Sequence, residues 1–186
     1  LDLKVILKKV LRYVNENYGI QYYALYTLTP EGTHVEISEA NFPDFTSEED
    51  RTKILNFKIP VQEVKGAHAF PFKAKRPFFI PRIKKTGATE QENFIGEKYK
   101  ISSIFILPLI LNNEIIGTID FSSETKMELS KEDITKLSIL GEQLAGIIHG
   151  SNLLKQVQEE KDKAEKAKQE IETLNEFTKL INSTSD

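Results

Sequence analysis

The sequence predicts an α+β domain followed by a long helix, and three observations carry that reading. An amphipathic helical repeat opens the chain, two turn-centred β-hairpins stand far apart within it, and after Ser130 the apolar spacing is helical with no further Pro. The 186 residues, 39% hydrophobic and 28% charged, have the composition of an ordinary globular chain. A domain of about 150 residues buries roughly 70% of its unfolded surface and needs no staple. The chain has no Cys, which excludes thiol nucleophiles, disulfides, thiolate metal sites and thioether-linked chromophores. A net charge of -3 gives no nucleic-acid footprint. The longest apolar run, Ile104 to Leu111, is far shorter than the roughly 20 residues a membrane span needs, so no membrane contact is expected. A first residue that is not Met, with no targeting pattern behind it, reads as a piece of a longer chain.

Each element has its own signal. Leu3, Ile6, Val10 and Val14 recur at helical spacing, with Lys4, Lys8, Lys9 and Arg12 opposite, until Tyr18-Gly19 closes the helix. Tyr22, Tyr23, Leu25, Tyr26 and Leu28 form an aromatic-rich strand signal, Thr29 to Gly32 a turn, and His34 to Ser38 the return strand. Thr46 to Asn56 has the acidic first turn of a short helix. From residue 57 to 100, Pro60, Pro71, Pro77 and Pro81 break every long element, leaving short strands and loops around one short helix near Glu92 to Tyr99. Ser102 to Leu111 and Glu114 to Ser122 form the second hairpin, with Asn112-Asn113 suited to the positive φ of a type I′ turn. Pro108 cannot donate to a ladder and belongs at an edge or a bulge. Ser130 and Asp133 form a short version of a capping box before the apolar face Ile134, Leu137, Leu140, Leu144, Ile147 and Ile148.

The domain is therefore placed over residues 1–150 and a coiled-coil helix over 151–186. In the tail, Leu153, Val157, Glu160, Ala164, Ala167, Ile171, Leu174, Thr178 and Ile181 alternate spacings of four and three, which is a heptad seam. Glu160 and the two alanines weaken it, and a parallel pair sets Lys163 against Lys168 of the second copy. The expectation is a marginal parallel homodimer; a solvated single helix is the alternative, because Lys and Glu favour helix without pairing.

The run Ile104-Phe105-Ile106-Leu107-Pro108-Leu109-Ile110, then Asn113 to Phe121 with Gly117 inside it, then Ser130 to Ile134 and Leu137 to Ile148, resembles the GAF domain family. The resemblance spans about residues 1 to 150. It implies an antiparallel sheet with the first and last helices on one face and a small-molecule pocket on the other, in a cytoplasmic regulatory module that is dimeric through its terminal helices. Such modules serve signalling proteins of the histidine kinase or nucleotide cyclase type. The tail from Leu174 to Asp186 is similar to the lead-in of a further module, so a downstream output domain is expected. The Asn-Lys-Phe-Asp-Glu motif of cyclic-nucleotide-binding members is not matched by Asn113, Lys131 and Asp133, which leaves a cyclic nucleotide as an option without its usual motif. Bilin attachment and the sulfoxide reductase chemistry known in this fold both use Cys, so neither covalent mechanism is expected. A PAS-type sensor fits the hairpins less well.

No catalytic group stands out. Gly66, Gly87 and Gly96 are too scattered for a phosphate loop, and Ser122-Ser123, expected to be exposed, has no base in sequence. Of the three histidines, His34 and His149 read as structural and His68 as the candidate ligand group, with no metal-ligand spacing among them. On the strand after Gly117, Thr118, Asp120 and Ser122 alternate with Ile119 and Phe121, so the apolar set should meet the helices and Asp120 the ligand side. Lys65, Lys73, Lys75, Arg76, Arg82, Lys84 and Lys85 run without an acidic residue and interleave with Phe70, Phe72, Phe78 and Phe79. That pattern suggests aromatic walls and basic donors for a small, planar, anionic ligand, with Asp120 orienting its donors. The competing reading has the cations facing solvent and the phenylalanines plugging the core. The expected roles are therefore ligand binding by Asp120, Thr118, Ser122, His68, Phe70, Phe72, Arg76 and Phe78, pairing through the tail, no catalytic or metal residue, and no certain cofactor.

Overall fold

The computed structural model describes residues 3–62, 66–83 and 88–183. The chain divides into two units, one over residues 2–146 and one from Ile147 onward. Within the first, α1 (Leu3–Tyr18) leads into the hairpin β1 (Tyr22–Leu28) and β2 (His34–Ala40), followed by α2 (Glu48–Leu55), β3 (Lys58–Pro60), α3 (Ala69–Ala74), β4 (Phe78–Ile80) and α4 (Glu90–Lys98). The second hairpin, β5 (Ser103–Leu111) and β6 (Glu114–Ser123), precedes α5 (Lys131–Ser183). The strands form one antiparallel sheet in the order β3-β2-β1-β6-β5-β4. The α+β class and its antiparallel sheet are as the sequence predicts. No described helix is long and apolar enough to cross a membrane.

Register explains the two faces. Across the centre, Tyr23, Phe121 and Phe105 align, as do Leu25, Ile119 and Leu107. These side chains are buried and form the face toward the terminal helices. Gly141 of α5 lies so close to Leu107 that an added Cβ would stand 2.5 Å from its Cδ2. Lys4 of α1 pairs with Glu39, which sits opposite Leu25 on the same face. The opposite face carries Ala24, Tyr26, Thr118, Asp120 and Ser122. Tyr26, Val35, Ile37, Ile54, Ile59, Val61 and Tyr99 form a second apolar cluster there, joined by Phe72 of α3 and by Phe94 and Ile95 of α4.

Several local signals act as expected. Asn112 (φ 50°) and Asn113 (φ 65°) take the left-handed conformations of the β5–β6 turn. Pro108 pairs with Thr118 on one side and lies beyond the β4 ladder on the other, one residue before a bulge at Leu109/Ile110. Ser130 and Asp133 exchange hydrogen bonds, Asp133 N donating to Ser130 Oγ and Ser130 N to Asp133 Oδ2. Residues 57–100 differ from expectation, because α3 forms in addition to α4. Pro71 falls in the first turn of α3, where its missing N–H costs nothing, and Lys75 at φ 50° ends the helix. Ser122 and Ser123 are buried, not exposed, since β6 is covered on both faces and flanked by two strands.

Candidate functional site

A cavity of about 730 Å³ opens on the Asp120 face of the sheet. Strand β1 supplies Tyr22, Ala24 and Tyr26 to its floor, β6 supplies Asp120 and Ser122, and α4 with the residues after it supplies Glu92, Ile95 and Tyr99. Asn41, Phe42, Phe78 and Ile104 complete much of the wall, which is mainly apolar and aromatic. Its size and character match small-molecule sites in general.

At one end three ionisable groups form a chain. Thr89 and Glu92 build a full capping box at the start of α4, with Thr89 N donating to Glu92 Oε2 at 2.7 Å and Glu92 N to Thr89 Oγ1 at 3.2 Å. The other oxygen, Oε1, accepts from Ala67 N at 2.8 Å, from His68 N at 3.3 Å and from His68 Nδ1 at 2.7 Å, so α4 holds the start of α3. On the far side of the ring, His68 Nε2 stands 2.7 Å from Asp120 Oδ2. That contact is an ion pair without an aligned hydrogen bond, and Nε2 has no other partner. The edge of the imidazole packs on Tyr26, with ring centroids 4.5 Å apart.

Charge follows from this geometry. Burial alone pushes the His68 imidazole down, but the Asp120 carboxylate and then Glu92 outweigh it and push it up to about 10. Burial pushes Glu92 up, yet its bonds and charge contact with His68, helped by backbone N–H groups, hold it at about 2. Asp120 is raised, because burial outweighs what His68 returns. The same two carboxylates, after burial itself, push the Tyr26 hydroxyl well up. An imidazolium held so far above neutrality is a fixed charge at neutral pH and not a proton shuttle. Both ring nitrogens face carboxylates, which leaves no lone pair for a metal, and no described group of three or more His, Cys, Asp or Glu residues is placed to hold one.

Of the residues singled out in the sequence, the structure brings Asp120, Ser122, His68 and Phe78 to the cavity. Thr118 is buried beside Asp120, its hydroxyl donating to Oδ1 at 3.5 Å. Phe70, Phe72 and Arg76 do not line the cavity. Phe72 joins the second apolar cluster, Phe70 packs on Phe78 at 4.6 Å, and the Arg76 guanidinium lies 5.2 Å over the Phe70 ring. Lys73, Lys75 and Arg82 also stand away from it, while Lys65, Lys84 and Lys85 lie outside the described residues. His34 pairs with the Thr33 hydroxyl and His149 is exposed. Glu92, Tyr26 and Tyr99 were not legible as site residues, although Thr89-x-x-Glu92 is a capping-box signature that marks Glu92 as oriented.

No curated protein sequence matches the chain. Among solved structures, the GAF domain of a phosphoenolpyruvate-protein phosphotransferase from Coxiella burnetii aligns with a TM-score of 0.65 at 11% identity, covering 82% of this chain and 85% of that one. A GAF domain/HD domain protein from Geobacter sulfurreducens aligns at 0.63 and 8% identity, covering 82% and 95% respectively. The type II free methionine-R-sulfoxide reductase from Thermoplasma acidophilum aligns at 0.58 and 18% identity, covering 80% and 96%. At these identities the likenesses show a shared fold. The GAF domain profile matches residues 2–148, and by that match the chain belongs to the GAF domain family.

Proposed function

We propose that this chain is a non-catalytic regulatory module of a multidomain signal-transduction protein, in which a small molecule occupies the cavity and the α5 tail pairs in parallel with that of a second copy to control an output domain of nucleotide cyclase or histidine kinase type. The cavity carries this reading: about 730 Å³ of mainly apolar space sits on a rigid sheet, with a buried charge chain at one end. Self-filling side chains would leave no such volume in a well-packed interior. A fixed imidazolium, with no Cys in the chain, supports recognition over turnover. The test is a thermal-shift screen of neutral, cationic and anionic metabolites, cyclic nucleotides included. A ligand at 100 times its dissociation constant adds about 2.7 kcal/mol of stability, well within detection. A hit whose shift is lost in Asp120→Asn supports the assignment; a screen without hits overturns it.

A second reading, a ligand-free dimerisation and transmission module, is favoured by the tail. From Asn152 to Ser183 every residue is exposed, among them Leu153, Val157, Ile171 and Leu174 of the seam, each at least 47% accessible, together with Ala164 and Ala167. Large aliphatics at heptad spacing on a bare helix favour a partner helix. Truncation after Gly150 lowers the oligomeric state seen by sedimentation if the tail is the interface, and leaves a dimer if it is not.

A further inference from the structure

What the cavity selects follows from its walls, provided the cavity is the ligand site proposed above. The described charged side chains that line it are Glu92, Glu97 and Asp120 against His68 and Lys100. His68 is committed between two carboxylates, and Lys100 is exposed at the rim. Glu92 offers little to a ligand, because four hydrogen bonds from Ala67, His68 and Thr89 already fill it. Asp120 is different. It has roughly four acceptor sites as a carboxylate, yet it receives only a long hydrogen bond from Thr118 and the off-axis contact with His68. It is 5% exposed and faces the cavity, so an incoming donor would meet a poorly satisfied acceptor.

A second, independent feature is that Tyr99, a wall residue 6% exposed, has a buried hydroxyl with no hydrogen-bond partner. Buried polar atoms left this way are costly, and a bound molecule that reaches them removes the cost. The remaining wall is mainly apolar, with the aromatic rings of Tyr22, Tyr26, Phe42 and Phe78 set among isoleucines, so a flat ring finds aromatic partners there. An anion entering here loses its water shell and meets two carboxylates, Glu92 and Asp120, against the one committed imidazolium of His68, with no described Arg on the wall to receive it.

We propose that the cavity selects a flat, largely apolar molecule, uncharged or singly cationic, that donates an N–H to Asp120, and that it rejects ligands bearing a phosphate or carboxylate. This departs from the anionic ligand suggested by the basic stretch of sequence, whose described cations stand away from the cavity.

Four probes sharing one bicyclic ring separate the claims: indole, tryptamine, 1-methylindole and indole-3-acetate. Each is titrated against the full chain at neutral pH by ligand-observed NMR. Indole and tryptamine should bind, with 1-methylindole and indole-3-acetate weaker by about tenfold or more, the loss expected for a missing hydrogen bond to a charged group. In folded Asp120→Asn the advantage of tryptamine over indole-3-acetate should shrink. If indole-3-acetate or 1-methylindole binds as tightly as indole, the selectivity is overturned while the cavity remains a ligand site. If the preferences are unchanged in folded Asp120→Asn, Asp120 is not the anchor and the inference fails. Should that variant not fold, the wild-type series decides alone. Binding by none of the four overturns the inference, and the broader metabolite screen then decides separately whether the cavity binds anything.

Discussion

Replacing His68 by Leu tests the charge chain at its centre. The side chain is 2% exposed, and Leu is close in size, so the perturbation is mainly the loss of charge and of two contacts. Glu92 keeps three backbone donors, from Thr89, Ala67 and residue 68, and remains satisfied. Asp120 keeps only the Thr118 hydroxyl at 3.5 Å. The damage therefore concentrates on one buried carboxylate, and breaking a buried pair in this way costs about 3–5 kcal/mol. At about 2–4 °C per kcal/mol for a chain of this size, the midpoint of thermal unfolding should fall by roughly 6–20 °C. Adding Asp120→Asn removes the stranded charge and should recover about 1–2 kcal/mol, since an imperfectly bonded amide costs less than an unpaired ion. Urea unfolding followed by tyrosine fluorescence is the suitable assay, because all six tyrosines lie at or before residue 99 and report on the first unit alone. A single variant within about 1 kcal/mol of wild type, or a double variant less stable than the single, would refute the argument that Asp120 depends on His68.

Stability should also depend on pH with a definite sign. The His68 contribution is complete below its ordinary 6.5 and is lost as pH rises toward 10, the raised Asp120 takes stability away as pH rises above its ordinary 3.8, and the Glu92 contribution is complete above 4.5 and lost as pH falls toward 2. Urea midpoints should therefore be highest between 4.5 and 6.5 and decline on both sides; a flat profile from 6.5 to 10 would remove the ion pair from the account. Gly117→Ala places a Cβ 2.1 Å from the backbone oxygen of Tyr26, a rigid neighbour, so it should cost about 1–3 kcal/mol or more by the same assay. Gly141→Ala meets only the movable end of Leu107 at 2.5 Å and gains about 1 kcal/mol of helix propensity, so it should cost clearly less than Gly117→Ala. Ser130→Ala removes the cap of α5 and should cost about 1 kcal/mol, with a larger loss in hydrogen-exchange protection at Ile134 than elsewhere in the unit.

Local chemistry made the hairpins, the capped helices and the two-faced β6 strand legible, because each depends on residues a few positions apart. The short helix α3 was hidden by Pro71, which reads as a breaker unless its place in the first turn is known. The polar half of the site joins residues 24 and 52 positions apart, His68 to Glu92 and His68 to Asp120, and no periodicity connects them. Asp120 was legible from strand alternation alone, whereas its partner was legible only as a histidine without a local role. The basic, Phe-rich stretch misdirected the reading of the walls: its aromatic residues divide among the cavity, the second apolar cluster, a stack beneath Arg76 and, for Phe79, a contact with Phe105. The tyrosines of β1 line the cavity instead, placed there by a register that forms only when β6 pairs with β1.

The double duty of Glu92 restricts how this module can diverge. One carboxylate starts α4, anchors the beginning of α3 and joins Asp120 in holding the charge of His68, so a change at Glu92 that retunes the polar end of the cavity also undoes the local folding of two helices. Apolar wall positions such as Ile80 and Ile104 hold neither a helix start nor an ionised partner with their side chains. Relatives that keep the Glu92 clamp are thus free to vary the shape of the cavity while inheriting its polarity, and a change of polarity requires a different way of starting α4.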